Sequence, residues 1–298
     1  MLIKDKLKNK KPLISFEIFP PKENYPVETI YNTIDALNDL RPDFMSVTYG
    51  AGGSTKDTTV EIASFIKNKY NLSSLAHLTC LTSTEDEIDN TLNALKQNGV
   101  RNILALRGDY PQGMDSVYAR NNQYKYAKDL ISHIKRYDDF CVGAACYPEK
   151  HLECQSLEED LLHLKEKVDC GVDFLITQLF FNNETFYDFK DKTDKLGINV
   201  PIVAGILPVL NKKQVERITS LTGCILPKKF LRILQKYEHK PEALKEAGIA
   251  YAIEQIIDLL SWGIDGIHVY TMNRPKTTRR ILENIKTIRG VLTDEEAS

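Results

Sequence analysis

The sequence has a single tryptophan in 298 residues, no CxxC pair among its six cysteines and no surplus of charge of either sign. Nor does any run approach the ~20 apolar residues of a membrane span. Each absence closes off a class. The basic start Met1–Lys11 leads into no apolar stretch, so it does not read as a signal peptide. Lys and Arg total 39 against 41 Asp and Glu, and the net charge of −2 leaves no basic footprint for nucleic acid. No Lys/Arg cluster flanks an apolar helix as a membrane surface would require. Cys80, Cys141, Cys146, Cys154, Cys170 and Cys224 fall mostly among apolar residues, the pattern of reduced thiols in a cytoplasm. His151-x-x-Cys154 is the one metal-like spacing and lacks further partners, so no metal is expected. No Ser-His-Asp or Cys-His arrangement emerges from spacing. His133 and His239 read as surface residues.

What the sequence does have is an alternation of short β-rich runs with longer helical patterns. Strands are expected at 13–19, 44–49, 75–80, 102–106, 140–146, 174–181, 201–206 and 266–270. Between them run helical periodicities, such as Ile30, Ile34, Leu37 and Leu40 at steps of four, three and three. Further helices are expected at 58–70, 126–137, 184–196 and 277–288. Two helices open with a hydroxyl-x-x-carboxylate capping box, at Thr84–Glu87 and Ser156–Glu159, and a third stretch opens at Asn211-x-x-Gln214. Alternating strands and helices imply a parallel sheet. Eight such units in one chain of this length match a closed (β/α)₈ TIM barrel, and an open doubly wound sheet is the runner-up. The stretch from Cys224 to Trp262 exceeds one crossover, so extra helices are expected before the last strand. A short N-terminal extension over about 1–11 and an acidic tail over 291–298 complete a single domain.

In such a barrel the chemistry sits at the carboxyl ends of the strands. The residues there are Glu17, Thr48–Tyr49, His77, Arg107–Asp109, Tyr147, Gln178, Leu207–Pro208 and Tyr270. Seven of the eight ends carry a polar or ionisable side chain, whereas the opposite ends carry generic loop residues such as Asp43, Asp139 and Asp173. Glu17 interrupts an apolar strand, where a carboxylate is costly unless paired or protonated. A protonated carboxyl is a candidate general acid. Its alternative is a structural salt bridge inside the barrel. Gly108 permits a tight turn that lets Arg107 and Asp109 both reach the site. Gly50-Ala51-Gly52-Gly53 stands where a dinucleotide fingerprint would fall, but the third glycine position is Thr55, so it reads as a turn. Along the helix from Ser156, Asp160, His163 and Lys167 form a polar stripe beside the core stripe Leu157, Leu161, Leu164 and Val168. Such a stripe is either a solvated face or a grip on the sugar and phosphates of a cofactor.

Several segments in order resemble the methylenetetrahydrofolate reductases. They are Ser15–Pro21, Ser46–Gly50, His77–Cys80, Leu104–Asp109, Ala145–Glu149, Ile176–Gln178 and Gly205–Val209, and the likeness runs from about Ile14 to Arg289. The resemblance implies a barrel that carries FAD without a Rossmann domain. NADH or NADPH would reduce the flavin and leave, and 5,10-methylenetetrahydrofolate would be reduced to 5-methyltetrahydrofolate on the same face, a step of one-carbon and methionine metabolism. It makes Glu17 the acid that protonates the folate and Asp109 a residue near flavin and folate. Gln178, Tyr270 and Arg274 become substrate contacts. Thr48, Tyr49, His77, Arg107, Gly108, Asp109, Tyr126, Ala127, Tyr147, His151, Asp160, His163 and Lys167 become FAD contacts.

Three positions depart from the family pattern. Lys212 stands where some relatives place an aromatic that stacks on the substrate, a contact lysine does not supply. His163 replaces an amide and Glu166 a basic residue in the helix that serves the FAD phosphates, which together imply weaker or rearranged FAD binding. The regulatory domain of eukaryotic members is expected to be absent, and with it inhibition by S-adenosylmethionine. A homo-oligomer and an electron-donating partner both stay open. Competing readings are a flavin-free pterin-binding barrel such as a methyltransferase component, a glycoside hydrolase using Glu17 and Asp109, and a non-catalytic barrel subunit.

Overall fold

The short β-rich runs are buried on both sides, as a sheet covered by helices outside and filled by side chains inside requires. The computed structural model describes residues 1–9, 11–21, 26–49, 56–109 and 124–294. Eight strands are present: β1 (Leu13–Ile18), β2 (Phe44–Val47), β3 (Ser73–Thr79), β4 (Asn102–Leu106), β5 (Cys141–Cys146), β6 (Phe174–Thr177), β7 (Ile202–Ile206) and β8 (Gly266–Tyr270). Each pairs in parallel with the next and β8 pairs with β1, closing the barrel. The helices are α1 (Ile3–Leu7), α2 (Glu28–Asn38), α3 (Lys56–Tyr70), α4 (Glu85–Gln97), α5 (Ala127–Ile134), α6 (Leu157–Asp169), α7 (Asn183–Lys195), α8 (Lys212–Thr222), α9 (Lys228–Tyr237), α10 (Pro241–Trp262) and α11 (Pro275–Asp294). The closed eight-stranded barrel, the helix α8 opened at Asn211 and the extra helices α9 and α10 between Cys224 and β8 are as expected. The glycine run at 50–53 and residues 295–298 of the tail lie outside the described residues.

Several expectations need correction. The apolar run 174–181 is not all strand. β6 ends at Thr177, and Leu179 and Phe181 leave the ladder to pack with Leu207, Val209, Val215 and Phe230. That cluster seats α8 and α9 over the carboxyl ends of β6–β8. The run stays apolar because it is covered by helices, not because it is paired. The N-terminal residues include a helix, α1, across the amino end of the barrel. Ile3 is fully buried against a cluster containing Leu13, Phe44, Leu75, Phe174 and Val203, and its N–H donates to Asn102 Oδ1 at 2.8 Å.

Of the amino-end aspartates, Asp139 is a surface residue paired with Lys96 and Arg101, but Asp43 and Asp173 are not generic. Asp43 Oδ2 accepts the Ile14 N–H at 2.7 Å while the Asp43 N–H donates back to Ile14 O at 2.7 Å. Asp173 does the same to Val142, at 2.8 and 2.7 Å, and Asp265 Oδ2 accepts the Ile202 N–H at 2.8 Å. Asp43, Asp173 and Asp265 each precede a strand and satisfy the free amide of the strand before it.

His133 is not a surface residue. It is 2% exposed, held between the Tyr124 hydroxyl at 2.8 Å and Asp89 Oδ1 at 2.6 Å. His239, by contrast, has a 90% exposed side chain. The Thr84–Glu87 capping box forms in full. The Ser156 box forms by half. Ser156 Oγ accepts the Glu159 N–H at 3.1 Å, but the Glu159 carboxylate accepts from Gln155 N, one residue earlier than a box requires.

Candidate functional site at the carboxyl ends of the strands

Register decides which side chains meet. Glu17 lies opposite Ser46 on β2 and Tyr270 on β8, and Ser15 lies opposite His268. Strand side chains alternate in direction, so Ser15 and Glu17 occupy successive inward layers. Glu17 is 7% exposed, with one carboxylate oxygen 3.7 Å from His77 Nε2 and 3.8 Å from His268 Nε2. Both exceed hydrogen-bond length, and no donor among the described residues bonds this carboxylate. Among the described residues His77 Nε2 likewise has no hydrogen-bond partner, though it is buried. Burial pushes the His77 pKa down to about 4, against the opposing pull of Glu17. At neutral pH His77 is therefore uncharged.

His268 is anchored from below. Its Nδ1 lies 2.7 Å from Ser15 Oγ, its Nε2 3.4 Å from Ser46 Oγ, and its ring stacks on Phe44. Sequence reasoning missed His268 and Ser15. Counting back two residues from Tyr270 and from Glu17 would have found both, since that parity keeps them on the inner face.

Tyr270 crosses the barrel mouth, its hydroxyl donating to Thr177 O at 2.7 Å. Gly205 makes this crossing possible: a Cβ there would lie 2.4 Å from Thr177 O and 2.7 Å from the Tyr270 hydroxyl. Gln178 follows Thr177, with its N–H on Cys146 O at 2.7 Å and its Oε1 accepting from Leu179 N at 3.0 Å. Glu17, Tyr270 and Gln178 thus share one end of the barrel.

A second group sits on β3–β6. Gly108 holds φ at +85°, which a Cβ would strain while pressing to 2.9 Å from Thr79 Cβ. Arg107 makes a two-pronged pair with Glu153, both contacts at 2.6 Å. The His151 N–H donates to Asp160 Oδ2 at 3.1 Å, and its ring meets Tyr147 edge-on at 4.9 Å. Burial raises the Tyr147 pKa to about 12 and lowers that of His151, so both are neutral near pH 7. Lys167 is half-buried, donating to Ala145 O at 2.6 Å, and its desolvation lowers its pKa. Lys167 therefore faces β5 and Asp160 the loop that follows it, whereas His163 on the same stripe is exposed.

Ala127 opens α5. Tyr126 before it is 55% exposed, its carbonyl accepting from Cys80 Sγ at 3.6 Å. Thr48 and Tyr49 are half-buried just past β2, and Asp109 and Arg274 are exposed at the rim. Two of the departing residues are paired. Glu166 bonds Lys128 at 2.7 Å, which offsets the repulsion expected of it, and Lys212 bonds Glu238 at 2.5 Å.

A buried carboxylate, imidazoles, a tyrosine and an amide are thus gathered at the strand tips, the face at which (β/α)₈ barrels bind small molecules. The particular family follows from comparison. The family model for methylenetetrahydrofolate reductase matches residues 2–286, and the chain belongs to that family. The 5,10-methylenetetrahydrofolate reductase of Escherichia coli is 37% identical over 272 residues, covering 91% of this chain and 90% of the relative. Methylenetetrahydrofolate reductase (NADH) 1 of Arabidopsis thaliana is 38% identical over 285 residues, covering 92% of this chain, which spans 48% of that relative's length. Among solved structures, an uncharacterised Clostridium thermocellum protein that binds two copies of 5-methyl-5,6,7,8-tetrahydrofolic acid shares the fold. Its TM-score is 0.63 at 19% identity, over 98% of this chain and all of that one.

Proposed function

We propose that this chain reduces 5,10-methylenetetrahydrofolate to 5-methyltetrahydrofolate with NADH or NADPH, using bound FAD. The observation that carries the reading is the Glu17 carboxylate, buried at the mouth of the barrel and without a hydrogen-bond donor among the described residues. It is supported by the family match and by the order of residues around the mouth.

The residues fit a flavin dinucleotide. Arg107, Lys167 and the ring N–H of His151 are donors suited to a diphosphate and sugar. Gly108 keeps side-chain bulk off the adjoining turn, and His77 Nε2 is a buried polar atom in want of a partner. When bound, FAD would accept hydride from the nicotinamide and return it to the folate carbon. Every other role falls to the chain. Thr48, Tyr49, His77, Arg107, Gly108, Tyr126, Ala127, Tyr147, His151, Asp160 and Lys167 would hold the cofactor, with exposed His163 at the edge. Glu17 would give its proton to the folate nitrogen N10, breaking the N10–methylene bond and opening the five-membered ring. The neutral His77 beside it sets no cation against that carboxyl. Asp109 would favour the cationic, ring-opened folate electrostatically. Gln178 would hydrogen-bond the pterin, with Tyr270 and Arg274 flanking it.

Protein incubated with FAD and then freed of unbound cofactor by gel filtration should be yellow and should bleach with NADH or NADPH. Colourless protein under those conditions rejects the reading and favours a flavin-free pterin-binding barrel, which has no use for the Arg107–His151–Lys167 group. Glu17→Gln should still oxidise the nicotinamide while folate reduction falls by about 10²-fold or more. Equal loss of both half-reactions would refute the role given to Glu17.

A further inference from the structure

We propose that Thr271 is a positioning residue that aims the Glu17 carboxyl at the folate, with Asn273 holding Thr271 in place, an inference that rests on the reductase reading above. The Glu17 carboxylate has no hydrogen-bond donor among the described residues. The direction of such a side chain is set by the backbone that carries it. The β1–β8 pairing runs out at Glu17 opposite Tyr270, so that backbone stands at the open end of the ladder.

Side chains take over where the ladder stops. Met272 and Asn273 hold φ at +51° and +54°, which turns the chain off the course of β8. Asn adopts this left-handed region more readily than most residues, whereas Met rarely does. After the turn, Thr271 and Asn273 supply the bonds that the β8 backbone no longer offers. The buried Thr271 hydroxyl donates to Glu17 O at 2.6 Å. The same hydroxyl oxygen accepts the Asn273 N–H at 3.1 Å, which fixes its rotor.

Asn273 extends the brace by two residues. Its Oδ1 accepts the Phe19 N–H at 3.0 Å and its Nδ2 donates to Phe19 O at 2.8 Å, the pairing a further strand residue would have made. From the β2 side, the Thr48 N–H donates to Ile18 O at 3.0 Å. The carbonyls of Glu17, Ile18 and Phe19 are thus held in succession from both neighbours. Thr271 spends its proton on Glu17 O, and both polar atoms of the Asn273 amide are engaged by Phe19. Their effect on the folate therefore passes through Glu17.

The test follows the two half-reactions separately by flavin absorbance in wild type, Thr271→Val and Thr271→Ser. Valine keeps the shape of threonine and drops the hydroxyl, whereas serine keeps the hydroxyl. With saturating 5,10-methylenetetrahydrofolate, reduced Thr271→Val should be reoxidised about tenfold more slowly, because a misplaced proton donor slows the chemical step. Its reduction by NADH or NADPH should stay within about twofold of wild type, since that step takes no proton from Glu17. Thr271→Ser should stay within about threefold of wild type in both steps, and Asn273→Ala, which leaves the buried hydroxyl in place, should show the same split at about threefold. In a Glu17→Gln background Thr271→Val should add less than about twofold, as expected of residues acting through one group. Equal slowing of both steps, unchanged reoxidation, or Thr271→Ser as slow as Thr271→Val overturns the proposal. Wild type that is bleached by NADH or NADPH yet never reoxidised by the folate overturns the reductase reading itself, so the two failures are distinguishable.

Discussion

At the residue scale, His77 links chemistry to stability through protons. Its pKa of about 4 in the fold lies below the ordinary 6.5, so between those values the unfolded chain binds a proton that the native state refuses. Stability must therefore fall as pH drops from about 6.5 to 4, by roughly 3 kcal/mol for this group alone. His77→Gln lacks that loss, so its stability gap to wild type should narrow over the window. Urea unfolding at pH 7 and pH 4 measures it, and a constant gap would dismiss the argument. Gly205 offers a second test. Gly205→Ala drives a methyl onto Thr177 O and the Tyr270 hydroxyl, and should cost about 1–3 kcal/mol while raising KM for the folate more than it lowers kcat. Glu17 and Gln178 were legible because a polar residue at the tip of an apolar strand stands out. Ser15 and His268 were not, because they sit one layer deeper inside runs that read as plain strand. Glu153 was invisible to local spacing, since its partner lies on another strand's tip.

At the element scale, periodicity gave strand and helix order correctly and failed where burial had two sources. Leu179–Phe181 is apolar for the helices above it, and Ile3–Leu7 for the barrel floor beneath which it lies. A pattern of apolar residues reports burial but not the neighbour that provides it. The strand-start aspartates were misread for a related reason: an Asp before a strand looks like any loop residue until the amide it meets is known. Asp265→Ala should cost about 1–3 kcal/mol by leaving the Ile202 N–H bare. Asp265→Asn should cost clearly less, since its amide oxygen still accepts, and because burial raises the Asp265 pKa it removes a charge that is expensive to keep there. Equal losses in the two variants would show that the bond is not what matters.

At the scale of the molecule, charge is unevenly spread. Residues 212–240, which include α8 and α9, hold eight lysines and arginines against two glutamates, in a chain whose total is −2. These helices pack over the ends of β6–β8, beside the candidate site. If the substrates are the anionic folate and nicotinamide proposed, kcat/KM should fall as salt rises from about 20 to 200 mM, and fall less in Lys213→Glu/Arg217→Glu. A salt-independent kcat/KM would count against a steering role for this rim.

The aspartates at the amino end carry one more implication. A barrel can in principle close with a strand slipped by one position, which would turn every inward side chain outward. Here such a slip would also carry the Ile14, Val142 and Ile202 amides away from the carboxylates that meet them. Three fixed pairings spaced around the ring act as a built-in proofreader of shear, penalising a misclosed ring before any ligand enters it.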